Sequence, residues 1–205
     1  MSADELLDLL DPSGAPLTGP DGKVLTKRRA DVHRDGDWHG AFHLWVASAG
    51  HVLLQRRAAD KDAWPEMLDA TAAGHLTAGE QPIDGLREAE EELGVRYDPA
   101  ELKHVGTFSL EDSLSENVTN REFQHGYLVC DERPLGAFTE IDRREMIELV
   151  AVPISGFSML IGGGGSAGIS WDGIRERVVV VTGAELVPAP YLGELAEAML
   201  LAGRA

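Results

Sequence analysis

The chain has 205 residues, of which 43% are hydrophobic and 26% are charged, and this composition is typical of a soluble globular protein. The chain has 18 Lys and Arg residues and 35 Asp and Glu residues, which gives a formal net charge of −17. This charge argues against nucleic acid as a partner. It also indicates that a phosphate substrate would need metal ions at its site, because the negative field repels anions. There is no apolar run of about 18 residues to predict a membrane span, no secretory signal, and a single cysteine, Cys130, so a reducing, cytoplasmic location is expected.

The N-terminal part of the sequence predicts mainly strands and loops. Residues 1–23 are expected to form an acidic helix and a turn rich in proline and glycine, and residues 23–33 alternate weakly and predict a strand. Residues 42–58 predict two strands joined by a turn at Ser48-Ala49-Gly50. Residues 60–70 are expected to form a loop, and residues 71–79 a short strand that leads into a turn.

A helix is predicted in the glutamate-rich segment 82–93. Pro82 suits the first position of a helix, and Gly94 suits the left-handed residue that ends one. The spacing i, i+3, i+7 gives one apolar stripe, formed by Leu86, Ala89 and Leu93. The spacing i, i+3, i+4 brings three carboxylates together on roughly the opposite face, those of Glu88, Glu91 and Glu92.

The C-terminal part predicts further strands and a final helix. Strands are predicted at 101–112, 121–132, 142–154 and 175–183, and the helix at 190–203. The glycine run 162–165 lacks the Lys and Ser or Thr that complete a phosphate-binding loop, so it is interpreted as a flexible loop. Strands interleaved with helices predict an α/β or α+β layered domain.

Two interpretations fit the three carboxylates of the predicted helix. Like charges one turn apart repel by a few tenths of a kcal/mol, which an exposed and solvated helix face tolerates. Alternatively, a divalent cation lies between them, because Mg²⁺ commonly bridges a few carboxylates to substrate phosphates. The preceding glycine turn, the Gly79-Glu80 pair, the Arg87-Glu88 pair and the terminal glycine favour the metal site.

Residues 74–95 resemble the Nudix box, in which a glycine, a glutamate, an Arg-Glu pair and a Glu-Glu pair recur at fixed spacing. The matching positions are Gly74, Glu80, Arg87, Glu88, Ala89, Glu91, Glu92, Gly94 and Val95. Six residues rather than seven separate Glu80 from Arg87. The position of Glu80 relative to the metals therefore stays open.

The resemblance implies an α/β/α sandwich with a mixed β-sheet. Residues 1–205 would then form a single Nudix domain, with a core at 24–155 and short terminal extensions. Mg²⁺ or Mn²⁺ is expected at the Gly74 carbonyl and at the carboxylates of Glu88, Glu91 and Glu92, and Glu91 and Glu92 are expected to be catalytic. Arg87 and Gly94 are expected to be structural, Arg87 through an ion pair that orients the carboxylates.

The expected partner is a small-molecule diphosphate substrate, with neither nucleic acid nor a membrane as a partner. A monomer and a homodimer both stay open. The sequence does not decide among the nucleotide, sugar-nucleotide and isoprenoid diphosphates that Nudix enzymes use, because the residues that select a substrate lie in loops.

Stretches of residues 24–155 also resemble isopentenyl diphosphate isomerases. His33, His39 and His75 resemble the metal-binding histidines of these enzymes, with a one-residue difference in the first spacing. The isomerases carry a catalytic Cys directly before the Gly-His pair, where this chain has Ala73, so a proton-transfer group is missing. The predicted function is therefore hydrolysis of a phosphoanhydride, and the alternatives are an isomerase-like enzyme and a non-catalytic nucleotide-binding module.

Other charged residues have both a functional and a structural interpretation. Glu122 resembles an additional metal-binding or basic carboxylate, or it forms a cross-strand ion pair with Arg121 or a neighbour. Arg56 and Arg57 follow a strand, where they contact substrate phosphate or form ordinary ion pairs. Glu145 and Glu148 are interpreted as surface charges.

The remaining candidates are uncharged. His75 either binds a ligand or forms hydrogen bonds within its turn, and His39 either binds metal or packs beside the tryptophans. The tryptophans themselves are apolar walls of a pocket or core residues, and they are Trp38, Trp45 and Trp64. Cys130 is interpreted as a small buried hydrophobic residue.

Overall fold

The computed structural model describes residues 5–61, 63–115 and 118–202. Its strands are β1 (Leu6–Asp8), β2 (Thr26–Arg28), β3 (Trp38–Ser48), β4 (His51–Arg57), β5 (Leu68–Asp69), β6 (Ala72–His75), β7 (Lys103–Ser115), β8 (Val118–Cys130), β9 (Met146–Pro153), β10 (Gly165–Trp171) and β11 (Glu176–Thr182). Its α-helices are α1 (Arg29–Asp35), α2 (Arg87–Leu93), α3 (Ile154–Ile161) and α4 (Leu192–Ala202). Among the described helices, none is both long and apolar enough to cross a membrane.

A mixed sheet lies at the centre of the fold. Its strands follow the order β11-β10-β9-β4-β3-β8-β7, with β5 paired to β4 and β6 paired to β3. Strands β3 and β8 run parallel, whereas the other pairs are antiparallel. Helix α2 packs on one face through Ala89 and Leu93, and helices α3 and α4 pack on the other through Phe157 and Leu195. The α/β fold with a mixed sheet between helices is thus confirmed.

Strand β3 changes its partner halfway along one edge, and this divides the sheet. Residues 41–44 pair with β6, whereas residues 46–48 pair with β4. At the junction, the Thr71 hydroxyl accepts a hydrogen bond from the Val46 N–H at 2.9 Å and donates one to the Leu53 carbonyl. One side chain therefore satisfies two backbone groups where the strands separate. The gap between β4 and β6 leads into the cleft described below.

The N-terminal segment is not the helix that was predicted. Leu7 and Leu9 are buried beside Val32, whereas Leu6 is 48% exposed and Asp8, between the two buried leucines, is partly exposed. This alternation has the period of a strand, and β1 accordingly pairs with β2. The strand predicted at 23–33 is also shorter than expected, because α1 begins at Arg29.

The C-terminal residues join the same sheet and core. Strand β10 and helix α3 were not predicted, and the turn between them uses the glycine run 162–165, which is hydrogen-bonded to the end of α3 instead of forming a free loop. Tyr191, Leu195 and Met199 are fully buried in the α3 and α4 layer. Cys130, predicted to be buried, is exposed because it is the last residue of β8.

The tryptophans have three different environments. Trp45 is 1% exposed and belongs to the core between the sheet and α3. Trp38 packs on the Phe123 ring with 4.9 Å between the ring centroids. Trp64 lines the cleft and is thus the one of these three that a bound molecule would meet.

The docking of the C-terminal residues can be tested at Gly183. A Cβ atom at this position would lie 2.2 Å from the Leu160 carbonyl oxygen, which belongs to the backbone of α3 and cannot turn aside. We expect Gly183→Ala to lower the free energy of unfolding by about 1–3 kcal/mol, as overpacking does. The measurement is urea unfolding, with Gly193→Ala as the control, because a Cβ there meets no atom within 4 Å. Equal stability of the two variants would contradict the close packing of this segment on α3.

Candidate metal and substrate cleft

A cleft of about 470 Å³ opens where the sheet divides. It is bounded by β6, the end of α2, the loop after β4 and the segment before α4. Its polar walls include Arg29, His33, His43, Gln55, Arg57, Lys61, Asp69, His75, Glu92, Asn120, Glu122, Gln124, Arg144 and Glu145. Ala73 and Gly74 also line it, so the glycine that opens the box motif lies at the cleft.

Helix α2 brings two of the three predicted ligand carboxylates, those of Glu88 and Glu92, beneath β6. It ends at Gly94, whose φ of 67° is the left-handed conformation predicted for that glycine. Glu88 and Glu92 are 2% and 1% exposed, whereas the Glu91 side chain is 58% exposed. The carboxylates are therefore not a solvated face, because two of them are buried.

Glycine is required at position 74 by the packing of Glu88. A Cβ atom on Gly74 would lie 2.0 Å from Glu88 Oε1, so any side chain there would displace the carboxylate. Beside it, Glu92 Oε2 accepts a hydrogen bond from the Ala73 N–H at 3.2 Å. Strand β6 thus holds both buried carboxylates through its backbone.

Burial changes the ionisation of these two groups. Desolvation raises the pKa of Glu88 to about 7, although the neighbouring Arg87 guanidinium acts in the opposite direction. Desolvation also raises the pKa of Glu92 well above its ordinary value, and the nearby charges of Glu88 and Glu145 raise it further. Both carboxyl groups therefore bind protons near neutral pH, unless a bound cation replaces those protons.

Arg87 connects the first half of the box motif to the second. Its guanidinium donates to Glu80 at 2.8 Å, to Glu88 at 2.6 Å and to Glu91 at 3.2 Å. It also donates to the His75 carbonyl at 3.1 Å. Glu80 in turn accepts from the Thr77 N–H at 2.7 Å. With the shortened spacing, the Glu80 carboxylate therefore binds the Arg87 guanidinium and the Thr77 N–H of its own turn.

Three histidines from three elements meet at the other side of β6. His33 comes from α1, His39 from β3 and His75 from β6, and one nitrogen of each lies within 4.8 Å of the others. Glu122 Oε1 lies 3.5 Å from His75 Nε2 and 3.8 Å from His39 Nε2. The buried Nε2 atoms of His33 and His39 have no hydrogen-bond partner within the described part of the chain.

His33 and His39 are kept neutral by burial and are therefore able to bind a cation through their lone pairs. Burial lowers the pKa of His33 to about 3 and that of His39 to about 4. The orphaned nitrogens and the adjacent carboxylate fit a metal ion that accepts imidazole ligands. His39 does not pack beside the tryptophans, which was its structural interpretation. The centroid of its ring lies 5.2 Å from that of His33 and 5.0 Å from that of His75.

The two arginines after β4 point to different places. Arg57 lines the cleft, where it donates to Asp69 at 2.9 Å. Arg56 is outside the cleft wall and donates to Glu148 and to Glu185, both at 3.1 Å. The pairing of β4 with β9 shifts its register between these two residues, and only the Arg57 side chain lies in the cleft wall.

Glu145 and Glu148 are not the surface charges that were predicted. Glu145 is 9% exposed, lines the cleft and forms an ion pair with Lys61. Glu148 binds Arg56, and its side chain is 13% exposed. Glu122 does not pair with Arg121, which binds Glu111 at 2.9 Å, but Glu122 Oε1 lies 3.8 Å from Nε2 of His39, its neighbour on β3, so the cross-strand interpretation stays open.

Several residues that line the cleft were not predicted from the sequence as site residues. Gln124 follows Glu122 by two positions on β8, donates to it at 2.9 Å and could have been found from the alternation of the strand. Lys61 and Asp69 lie in a segment expected to be a loop. Residues 187–189 line the cleft from a distant part of the chain, and no sequence signal places them there.

Comparison with known proteins gives one family. The NUDIX domain, as a family model, matches residues 39–157. A Nudix hydrolase of Clostridium acetobutylicum, named as uncharacterized, is 34% identical over 155 residues, which is 74% of this chain and 71% of that protein. Nudix hydrolase 3 of Arabidopsis thaliana is 35% identical over 198 residues, but the chain spans only 25% of its length.

Isomerases and solved structures are also among the similar proteins. The isopentenyl-diphosphate Delta-isomerase of Serratia proteamaculans is 30% identical over 137 residues, 65% of this chain and 71% of that enzyme. A crystal structure of a Deinococcus radiodurans protein superposes with a TM-score of 0.60 over 95% of this chain and 99% of its own. Its sequence identity of 17% supports a shared fold and nothing further.

The raised carboxylate pKa values lead to a test of the metal site. In the folded chain without metal, the pKa of Glu88 is about 7, so the carboxyl group keeps its proton up to that pH. In the unfolded chain the pKa is 4.5, and the proton is lost near that pH. This contribution to stability is present at low pH and is lost as the pH rises through 7. Mg²⁺ replaces the proton, so we expect the Mg²⁺-dependent increase in Tm to grow between about pH 5.5 and pH 8.

The measurement is thermal unfolding with EDTA and with Mg²⁺ at each pH. Glu88→Gln should reduce the growth of the Mg²⁺ effect, whereas Glu90→Gln, on the exposed side of the same helix, should leave it intact. His33 and His39 contribute little to this trend, because both are already neutral at these pH values. A Mg²⁺ effect independent of pH, or equal in both variants, would contradict the site.

Proposed function

The chain belongs to the Nudix family, and from this membership we propose that it is a Mg²⁺- or Mn²⁺-dependent hydrolase. Its substrate is a small molecule that carries a diphosphate, and the bond cleaved is the phosphoanhydride. The hydrolase name of the Clostridium acetobutylicum relative supports the reaction class. The diphosphate substrate class is what membership of the Nudix family implies.

One observation carries the proposal: two carboxylates are buried next to each other, Glu92 in the cleft wall and Glu88 against Gly74, with too few cations to balance them. Arg87 binds Glu88, and Lys61 binds Glu145. Within the described chain, the hydrogen-bond partner of the Glu92 carboxylate is a single backbone N–H, that of Ala73. Buried carboxylates without counter-charges are costly, and a divalent cation removes that cost.

The oxygen donors suit a hard cation. Glu88, Glu91 and Glu92 supply carboxylates, and the Gly74 carbonyl is the fourth donor that we assign. Glu91 would have to turn away from Arg87, which its exposed position permits. When bound, the metal neutralises diphosphate charge and lowers the pKa of water. The acidic net charge of the chain makes such neutralisation necessary for an anionic substrate.

The chain's own groups then divide the remaining work. Glu92 is the carboxylate that we assign to accept a proton from the attacking water, in addition to its part in binding the metal. Glu91 and Glu122 are the other carboxylates that we assign to catalysis, Glu122 beside His75 at 3.5 Å. Arg87 and Gly94 fix the helix and its carboxylates and do not touch the substrate.

The imidazole cluster forms a second donor set in the same cleft. His33, His39 and His75, with Glu122, favour Mn²⁺ or a transition metal over Mg²⁺, because Mg²⁺ prefers oxygen ligands. Glu80 is assigned to neither donor set, since it is held by Arg87 and Thr77.

Arg57 is the arginine that we assign to substrate phosphate. It lies in the cleft wall, and its partner Asp69 keeps the guanidinium in place. Arg56 is not assigned to substrate, because Glu148 and Glu185 hold it outside the cleft. We propose a cytoplasmic enzyme without a nucleic-acid partner, with a monomer and a homodimer both open.

Substitution of the buried carboxylate tests the hydrolase. We expect Glu92→Gln to lower kcat by about 10²–10³-fold, the effect typical of a single electrostatic group at such sites. The assay is Mg²⁺- and Mn²⁺-dependent phosphate release from a panel of nucleoside, sugar-nucleotide and isoprenoid diphosphates. Glu90→Gln is the control on the exposed face. Near-normal rates for both Glu91→Gln and Glu92→Gln would refute the assignment, and binding without any release would favour a non-catalytic module.

The imidazole cluster also supports a second candidate, an isopentenyl diphosphate isomerase-like enzyme, since a relative of 30% identity carries that name. Ala73, which lines the cleft beside Gly74, has no group that transfers a proton. Cys130 does not replace it, because it is exposed at the end of β8 and is not in the cleft wall. Allylic isomerisation needs a proton donor and an acceptor, so hydrolysis is the better-supported reaction.

The two reactions are separated by their products. We expect isopentenyl diphosphate with Mg²⁺ or Mn²⁺ to give no dimethylallyl diphosphate, because Ala73 supplies no proton. Proton and phosphorus NMR of the mixture measures both products. Isopentenyl phosphate would support hydrolysis, and no reaction would direct the search to nucleotides. Dimethylallyl diphosphate formed at a useful rate would refute the hydrolase.

A further inference from the structure

A buried tyrosine from the C-terminal segment binds a histidine of the cleft. Tyr191, which lies just before α4, is 0% exposed. Its hydroxyl oxygen lies 2.6 Å from His43 Nδ1 and 3.1 Å from Trp45 Nε1. His43 and Trp45 are two positions apart on β3 and therefore point to the same face.

The three groups allow only one assignment of hydrogens that leaves none unpaired. The indole Nε1–H of Trp45 can only donate, so the Tyr191 oxygen accepts from it. The hydrogen of the Tyr191 hydroxyl then needs an acceptor, and in the described chain His43 Nδ1 is the only other group within reach. If Nδ1 carried a hydrogen, the buried phenol would have no acceptor. His43 Nδ1 is therefore unprotonated.

The free side of the imidazole faces the cleft. A neutral ring with an unprotonated Nδ1 carries its hydrogen on Nε2. His43 lines the cleft, and its Nε2 has no hydrogen-bond partner among the described residues. Burial lowers the pKa of His43, which keeps the ring neutral at physiological pH. The hydrogen on Nε2 is thus available to a bound molecule.

We propose that His43 contacts the substrate as a neutral hydrogen-bond donor, held in the Nε2–H tautomer by Tyr191, and that it donates to a phosphate oxygen of the bound diphosphate. This proposal rests on the proposed hydrolase function. Phosphate oxygens only accept hydrogen bonds, so a fixed donor suits them and a free tautomer would not. The C-terminal segment thereby becomes part of the site through Tyr191, a positioning residue.

The tautomer is measured directly by NMR. Protein labelled with ¹⁵N in its histidines, recorded by long-range ¹H–¹⁵N correlation at neutral pH, distinguishes the two neutral forms from the imidazolium. His43→Gln identifies the His43 signals by their loss. We expect the Nε2–H tautomer in the parent chain and a mixture in Tyr191→Phe. Tyr127→Phe, which removes a hydroxyl on the neighbouring strand, is the control and should leave the signals unchanged. An Nδ1–H tautomer or an imidazolium in the parent chain would overturn the proposal.

The contact with substrate is measured by steady-state kinetics. We expect His43→Phe to raise KM about tenfold with a smaller change in kcat, because a hydrogen bond to a charged group is lost. His43→Gln places an amide donor near the position of Nε2 and should recover most of the affinity. Circular dichroism of each variant identifies misfolding. Equal KM in the parent chain and a folded His43→Phe would overturn the contact.

Failure of this proposal is distinguishable from failure of the hydrolase. If the parent chain cleaves no diphosphate, the binding of methylene diphosphonate with Mg²⁺, measured by calorimetry, replaces the kinetics. Weaker binding by His43→Phe, restored by His43→Gln, would support the contact without any turnover. Equal binding by all three, or no binding by the parent chain, would refute it.

Discussion

The burial of Glu88 and Glu92 beneath β6 is the constraint on which the rest of the site depends. Two carboxylates can be buried side by side only when protons or a cation neutralise them. The Glu88 carboxylate occupies the space that a side chain at position 74 would need, so this position requires glycine. The Ala73 N–H donates a hydrogen bond to Glu92. Of the two groups, Glu92 lies in the wall of the cleft. The same features that make the unliganded site unfavourable thus make it suitable for a metal.

The sequence was most informative where local and tertiary requirements agree. The hairpin between β3 and β4 and helix α2 with its glycine end have strong local signals, and both are present. The N-terminal strand was missed because its acidic segment also fits a helix, and only pairing with β2 decides between them. Because one residue is missing between Glu80 and Arg87, the sequence left the position of Glu80 open. In the structure, the Arg87 guanidinium binds the Glu80 carboxylate directly.

Residues that function through distant contacts could not be found in this way. Glu145 is charged and lies next to two arginines in sequence, so it was interpreted as a surface residue, yet Lys61 and the cleft surround it. Tyr191 is separated from His43 by 148 positions, and no periodicity links the two. The roles of Glu88, Glu91, Glu92 and the histidines stay predictions, because proximity alone does not establish what they bind. Members of both donor sets line one cleft, Glu92 from the oxygen donors and His33 and His75 from the nitrogen donors, so hydrolysis and isomerisation differ here by single groups such as Ala73.

The most direct measurement is anomalous diffraction from crystals of the full chain soaked in Mn²⁺. The account predicts an anomalous peak within coordination distance of the Glu88 and Glu92 carboxylates, and its loss in crystals of Glu92→Gln. A peak at His33, His39 and His75 would show that the second donor set is also occupied. An empty cleft at millimolar Mn²⁺, or Mn²⁺ bound only at exposed carboxylates elsewhere, would contradict a metal-dependent hydrolase built on the buried glutamates.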